Sequence, residues 1–188
     1  MTTDYAEVLR QIQADSRYQQ NIQYGKPRPG HPEGAVSAHI AQLEQNLDQL
    51  SPRLTDEEQA RLRVLIHVHD TFKAEAKEGV PITHPQSHAS LAQAFLAEFC
   101  EEPELLEMVQ RHDEPFALWR QLQYRGSFRE ERLEQLLAAI ADWKLYTAFL
   151  LIDGCTTGKD RAWIRWFFEL IGERVESQFV RDPAPLLS

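Results

Sequence analysis

Residues 54–73 read LTDEEQARLRVLIHVHDTFK. The stretch opens as a helix start. Thr55 and Glu58 have the spacing of a capping box, and Asp56, Glu57 and Glu58 put negative charge beside the unpaired N–H groups of a first turn. It continues as core, with Leu62, Leu65 and Ile66 on one face at steps of three and four residues. On the same spacing His69 points inward with the leucines, and Asp70 follows Ile66 on the adjoining inward edge. His67 falls on the Arg63–Thr71 side and is expected to be exposed. Burying an imidazole and a carboxylate without partners is costly. The pair needs a cation, and a divalent metal ion is the most economical one.

The helical period extends on both sides. Upstream, Val8, Leu9 and Ile12 mark an amphipathic helix that ends before the loop YGKPRPGHPEG, residues 24–34, rich in proline and glycine. Residues 35–50 place Val36, His39, Ile40, Leu43, Leu47 and Leu50 on one stripe. Downstream, Pro85 and Pro103 suit the first turns of two further helices. Residues 129–154 and 160–180 each read as a long amphipathic helix. No alternating strand pattern or internal repeat is present. The reading is an all-α, single-domain helical bundle. An N-terminal helix over residues 1–24 packs on the core, the main helical domain covers 25–180, and RDPAPLLS, residues 181–188, forms a mobile tail.

Composition narrows the function. With 188 residues the chain can bury a core without staples. A net charge of −9 argues against a general nucleic-acid binder, which would carry a basic patch. Cys100 and Cys155 are too few for a disulfide framework. The start of the chain shows no secretory pattern, and the longest apolar run, AFLLI, is far too short for a membrane span. A cytoplasmic protein is expected. No glycine-rich phosphate loop, nucleophile elbow or zinc-finger cysteine pair is present.

Other polar residues occupy inward positions like those of His69 and Asp70. His39 stands in the Val36–Ile40–Leu43 stripe where a leucine would fit. His112 ends the helix of Leu105, Leu106 and Val109, and Asp153 continues the stripe of Tyr146, Phe149 and Leu150. His84 and His88 are four residues apart and share a face if both are helical. One such histidine is usually a satisfied core residue; one on each of several helices points to a shared ligand.

The order His39, His69–Asp70, His84 or His88, His112, Asp153 resembles the HD superfamily of metal-dependent phosphohydrolases. HPEGAVSAH is similar to the family's loop and helix with the first histidine. HVHDTFK is similar to its HD-x-x-K signature, with Lys73 in the lysine position. HPQSHASLA and AFLLIDG are similar to the segments that follow, over residues 30 to 155 in all. The third segment of the family usually has one ligand histidine where this chain offers two; its spacing to Ala89 and Ala92 favours His84. Asp142 is the alternative to Asp153.

The resemblance implies a bundle of the HD type with His39, His69, Asp70 and Asp153 as the core metal site. His112 with His84 or His88 would hold a second metal, with Asp70 as the bridge. One or two divalent ions, among Mn, Fe, Co, Ni, Zn and Mg, would lower the pKa of bound water. Asp70 and Lys73 would serve the reaction, Lys73 as a cation on phosphate oxygens. His31 and Arg28, with Lys26, are candidates for phosphate contact. The expected ligand is a small phosphorylated metabolite, a nucleotide before others, hydrolysed by metal-activated water. Residues 113–132 after His112 are candidates for shaping its pocket. The stripe of Trp163, Trp166, Phe167 and Leu170 is core or a homodimer face. Two other functions fit the same residues. One is a di-iron oxygenase of the same superfamily, which needs both extra histidines on iron. The other is a non-catalytic ligand-sensing module.

Overall fold

The computed structural model describes residues 3–187. Over these the chain is all-α: α1 (Tyr5–Ala14), α2 (Ser16–Asn21), α3 (Val36–Leu50), α4 (Asp56–Val68), α5 (His88–Leu96), α6 (Pro103–Arg111), α7 (Glu114–Arg125), α8 (Glu130–Ala139), α9 (Trp143–Gly154), α10 (Ala162–Ile171) and the single turn α11 (Gln178–Arg181). No strand occurs among the described residues; an isolated β-bridge joins Arg28 to His31.

Helix α4 packs against α1, α3, α6 and α9. Its capping box is formed: Thr55 Oγ1 accepts the Glu58 N–H at 3.2 Å, and Glu58 Oε2 accepts the Thr55 N–H at 2.8 Å. Leu62, Leu65 and Ile66 are buried in one core with Leu43 and Leu47 of α3 and Tyr146 and Phe149 of α9. Each side chain of this kind contributes roughly 1.5–3 kcal/mol on leaving water, so burial rather than helix propensity holds the bundle. Two polar ties fix the registers that matter for the site. The Asn46 amide donates to Ile152 O at 2.8 Å, linking α3 to α9 beside Asp153. The Tyr146 hydroxyl donates to Arg111 O at 2.8 Å, linking α9 to α6 beside His112.

Helix α4 stops at Val68, and a 3-10 turn, Thr71–Ala74, follows at once. His69 is the C-cap and Asp70 has left the helix (φ −108°, ψ −1°). The doublet therefore sits where the backbone changes direction, not within a continuing helix.

The sequence reading needs correction in several places. Residues 160–180 are not one long helix but α10, ending at Ile171, and the single turn α11 from Gln178. Pro85 lies on the turn before α5, which Ser87 caps, rather than in its first turn. Residues 129–154 are two helices bent by 117°, not one. The break is made by Asp142, whose carboxylate accepts the Leu145 N–H at 2.9 Å and caps α9. The same carboxylate pairs with Arg61 at 3.0 Å, so Asp142 is a cap and not a metal ligand. The tail is docked: Leu186 and Leu187 are buried, and Arg161 and Arg53 donate to the carbonyls of Leu186 and Ala184. Ser188 lies outside the described residues. His67 is half-buried rather than exposed, its Nδ1 bonded to the Tyr18 hydroxyl and its Nε2 3.4 Å from Glu44. Finally, the N-terminal helix is broken at Asp15, whose carboxylate caps α2. Among the described residues no single helix is long and apolar enough to cross a membrane.

Candidate metal centre

Three helices, α3, α4 and α9, bring the first donor group together. His39, near the start of α3, turns its Nε2 to 2.9 Å from Asp153 Oδ1, near the end of α9. His69 Nε2 lies 3.8 Å from the same oxygen. Donors bonded to one ion at 2.0–2.2 Å sit about 2.8–3.6 Å apart, so His39, His69 and Asp153 lie near the spacing of a shared ligand set.

The second group forms beside it. His88, the first residue of α5, holds its Nε2 3.1 Å from Nε2 of His112, at the C-cap of α6. Asp70 stands between the groups. Its Oδ2 faces His69 at 3.4 Å and His39 at 3.8 Å, while its Oδ1 faces His112 at 3.7 Å and His88 at 3.8 Å. One carboxylate thus addresses both groups, one oxygen each.

The hydrogen bonds of the histidines show what they await. His69 Nδ1 is 3.1 Å from Ile66 O and 3.2 Å from Leu65 O, acceptors only, so Nδ1 carries the proton. Nε2 then presents a lone pair toward two carboxylates, and it is buried with no hydrogen-bond partner. His112 is set the same way by Val109 O at 2.7 Å. A lone pair facing carboxylates repels them unless a cation intervenes, either a metal ion or, in its absence, a proton on the ring. The field agrees: burial alone would pull the His69 pKa down, yet Asp70 and Asp153 outweigh it and raise it to about 9. Against the same burial, His69 and Lys73 hold Asp70 well below the usual carboxylate range, and Lys159 and His39 do so for Asp153. The residues present fit a divalent cation.

Because the raised His69 pKa means that a proton competes for the site, metal binding is expected to release protons. Affinity for Mn²⁺ should fall by about tenfold per pH unit for each proton displaced as the pH drops from about 8 to 6. Calorimetric titration in buffers of differing ionisation enthalpy measures this; a buffer-independent heat would contradict it.

Two lysines flank the donors. Lys73 Nζ pairs with Asp70 Oδ2, and Lys159 Nζ pairs with Asp153 Oδ1 at 2.8 Å. Both line a cavity of about 490 Å³ together with Asp70, His112, Asp113 and Asp153. Its apolar wall is Phe116 of α7 and Trp163 of α10, edge to face at 5.9 Å between centroids. His31 lines the same cavity, whereas exposed Arg28 lines neighbouring recesses that also include Lys73.

The structure assembles His39, His69, Asp70, His88, His112 and Asp153, but it leaves His84 out. His84 lies on the turn before α5, its Nδ1 accepting the Gln86 N–H at 3.0 Å. The helix begins one residue after Ser87, whose hydroxyl caps it by accepting from Ser90 N–H. Only His88 is therefore carried toward His112. Sequence reasoning missed Lys159 and Glu33; Asp113 and Phe116 fall in the stretch 113–132 expected to shape the pocket, though neither was singled out. Asp113 Oδ2 lies 3.2 Å from His88 Nε2, and its signal was a second His–Asp doublet at 112–113. Trp163 was read as core or dimer face; it and Phe167 are core, and Trp163 also forms cavity wall.

No protein-family model, curated protein or solved structure matches the chain.

Proposed function

We propose that the chain is a metal-dependent phosphohydrolase of the HD type, acting on a small phosphorylated metabolite, a nucleotide before others. The observation that supports it most is the pairing of a cation with each inner carboxylate. Lys73 stands on Asp70 and Lys159 on Asp153, beside two donor groups that share Asp70. A purely structural metal cluster has no need of two ammonium groups on a cavity wall.

When bound, one or two divalent ions supply Lewis acidity and lower the pKa of a coordinated water. His39, His69 and Asp153 would hold the first and His88, His112 and Asp70 the second, with Asp70 Oδ2, 3.4 Å from His69 and 3.8 Å from His39, able to serve the first as well. With Asp70 and Asp153 serving as ligands, Lys73 and Lys159 would no longer be fully neutralised by them. They then pair with phosphoryl oxygens and stabilise the charge that builds on them. Phe116 and Trp163 offer an apolar face to the organic part of the ligand and keep water from the site. Buried, unpaired Cys100 and Cys155 support a reducing compartment such as the cytoplasm.

A second reading, oxygen chemistry at a di-iron centre, is favoured by one observation: His88 and His112 meet at 3.1 Å. It assigns no task to the lysines.

The test is phosphate release from a panel of nucleotides and sugar phosphates by Mn²⁺-loaded protein. Wild type is expected to turn over at least one, and Lys73→Gln to lose about 10²–10³ in kcat, the loss expected for one preorganised electrostatic contact. No release from any member would contradict the proposal, and iron at two equivalents would favour the oxygenase.

A further inference from the structure

The loop before α3 carries a buried carboxylate that the proposed chemistry leaves unused. Glu33 has a side chain only 3 % exposed, with Oε1 2.9 Å from His31 Nδ1 and 3.2 Å from His39 Nδ1. Its other oxygen, Oε2, is buried without a hydrogen-bond partner. The acid is not placed there by a flexible loop that happens to lie inward. Gly25 (φ +117°) and Gly34 (φ +81°) cross so closely that a Cβ on Gly25 would sit 2.3 Å from Gly34 O, and one on Gly34 2.8 Å from Pro27 N. The backbone at the foot of α3 is thus over-determined, and Glu33 is held by it.

The three buried donor histidines suggest what this acid does. His69 and His112 each direct Nδ1 at a backbone carbonyl, which fixes Nε2 as the free donor nitrogen. His39 has no such carbonyl: its Nδ1 is buried without a formed hydrogen bond, and among the described residues the acceptor that stands beside it is Glu33 Oε1, at 3.2 Å. Its Nε2 faces Asp153 and Asp70. We infer that Glu33 is a positioning residue: it accepts a hydrogen bond from the Nδ1–H of His39, fixes the ring so that Nε2 is the ligating nitrogen, and ties the cavity-lining His31 to the same anchor. An ionised acceptor makes a ligating imidazole more basic than a carbonyl does, and loss of such a partner costs 10- to 100-fold in metal affinity. The inference rests on the metal reading above for its functional meaning, but the pairing of Glu33 with His39 is a separate claim.

The experiment reads both. Mn²⁺ affinity is measured by titration for Glu33→Leu in two backgrounds: His88→Ala with His112→Ala, which leaves the His39 group, and His39→Ala, which leaves the His112 group. A 10- to 100-fold loss confined to the first background is expected; equal losses in both, or none, would overturn the inference. In metal-free, ¹⁵N-labelled protein, imidazole correlation spectra report which His39 nitrogen holds a proton. Nδ1 is expected to hold it in wild type, and Nε2, beside Asp153, in Glu33→Leu. An unchanged Nδ1 proton would refute the pairing. If wild type binds no Mn²⁺, the metal reading fails while the spectra still decide the Glu33–His39 pairing. Should Glu33→Leu not fold, Glu33→Gln carries the same two readouts, with a smaller loss of affinity expected.

Discussion

Asp70→Ala is expected to release metal from both donor groups together and to lower phosphate release by at least about 10³-fold, on the scale of a lost preorganised electrostatic group. The size of the effect follows from position. Asp70 Oδ2 faces His39 and His69 while Oδ1 faces His88 and His112, so one truncation removes a ligand from each side. It also leaves Lys73 without its closest carboxylate. By contrast, His88→Ala should weaken one group only. Fold is not expected to fail, because the helices around Asp70 are held by Leu62, Leu65, Leu43 and Phe149, none of which pack through the carboxylate alone. Elemental analysis and the far-ultraviolet spectrum of the variant check both halves. An Asp70→Ala protein that kept two metal ions would refute the shared-ligand assignment.

Arg61→Met should produce a large stability loss at a site away from the donors. Arg61 is buried on α4 and ends in three carboxylates: Glu102, Glu104 at 2.8 Å and Asp142 at 3.0 Å. Removing the guanidinium strands three like charges. Buried pairs broken on one side cost 3–5 kcal/mol, but these acids keep some contact with water, so about 3 kcal/mol is expected. For a chain of this size that is roughly 6–12 °C in Tm. Glu102→Gln in the same chain, which removes one of the stranded charges, should recover part of the loss. Asp142 also caps α9, whose far end holds Asp153, so weaker metal binding should accompany the fall in Tm. Thermal melts of both variants at neutral pH settle it; a change below 1 °C for Arg61→Met would show the cluster to be ornamental.

Much of this was legible in the sequence because burial imposes a period. The stripe of Leu62, Leu65 and Ile66 gave α4, and polar residues inside such stripes gave His39, His69, His112 and Asp153. What periodicity cannot show is where a helix starts or breaks when a side chain decides it. Ser87 caps α5 and so selects His88 over His84, and Asp142 ends a pattern that reads as continuous through Ala139 and Trp143. Loop residues carry no period at all. Glu33 and Lys159 reach the site because backbone turns return them to it, and nothing in their spacing marks them. Likewise Leu186 and Leu187 close on the core from a segment too short and proline-rich to read as an element.

The most direct test of the central claim is the metal content per chain of wild-type protein purified without chelator and then equilibrated with Mn²⁺, beside a His69→Ala, Asp70→Ala double variant. The donor geometry predicts one to two equivalents in the wild type and a loss of at least the His39–His69–Asp153 equivalent in the variant. No bound metal in either would mean that these histidines and aspartates form a buried polar cluster satisfied by protons, and that the proposed hydrolase chemistry is wrong.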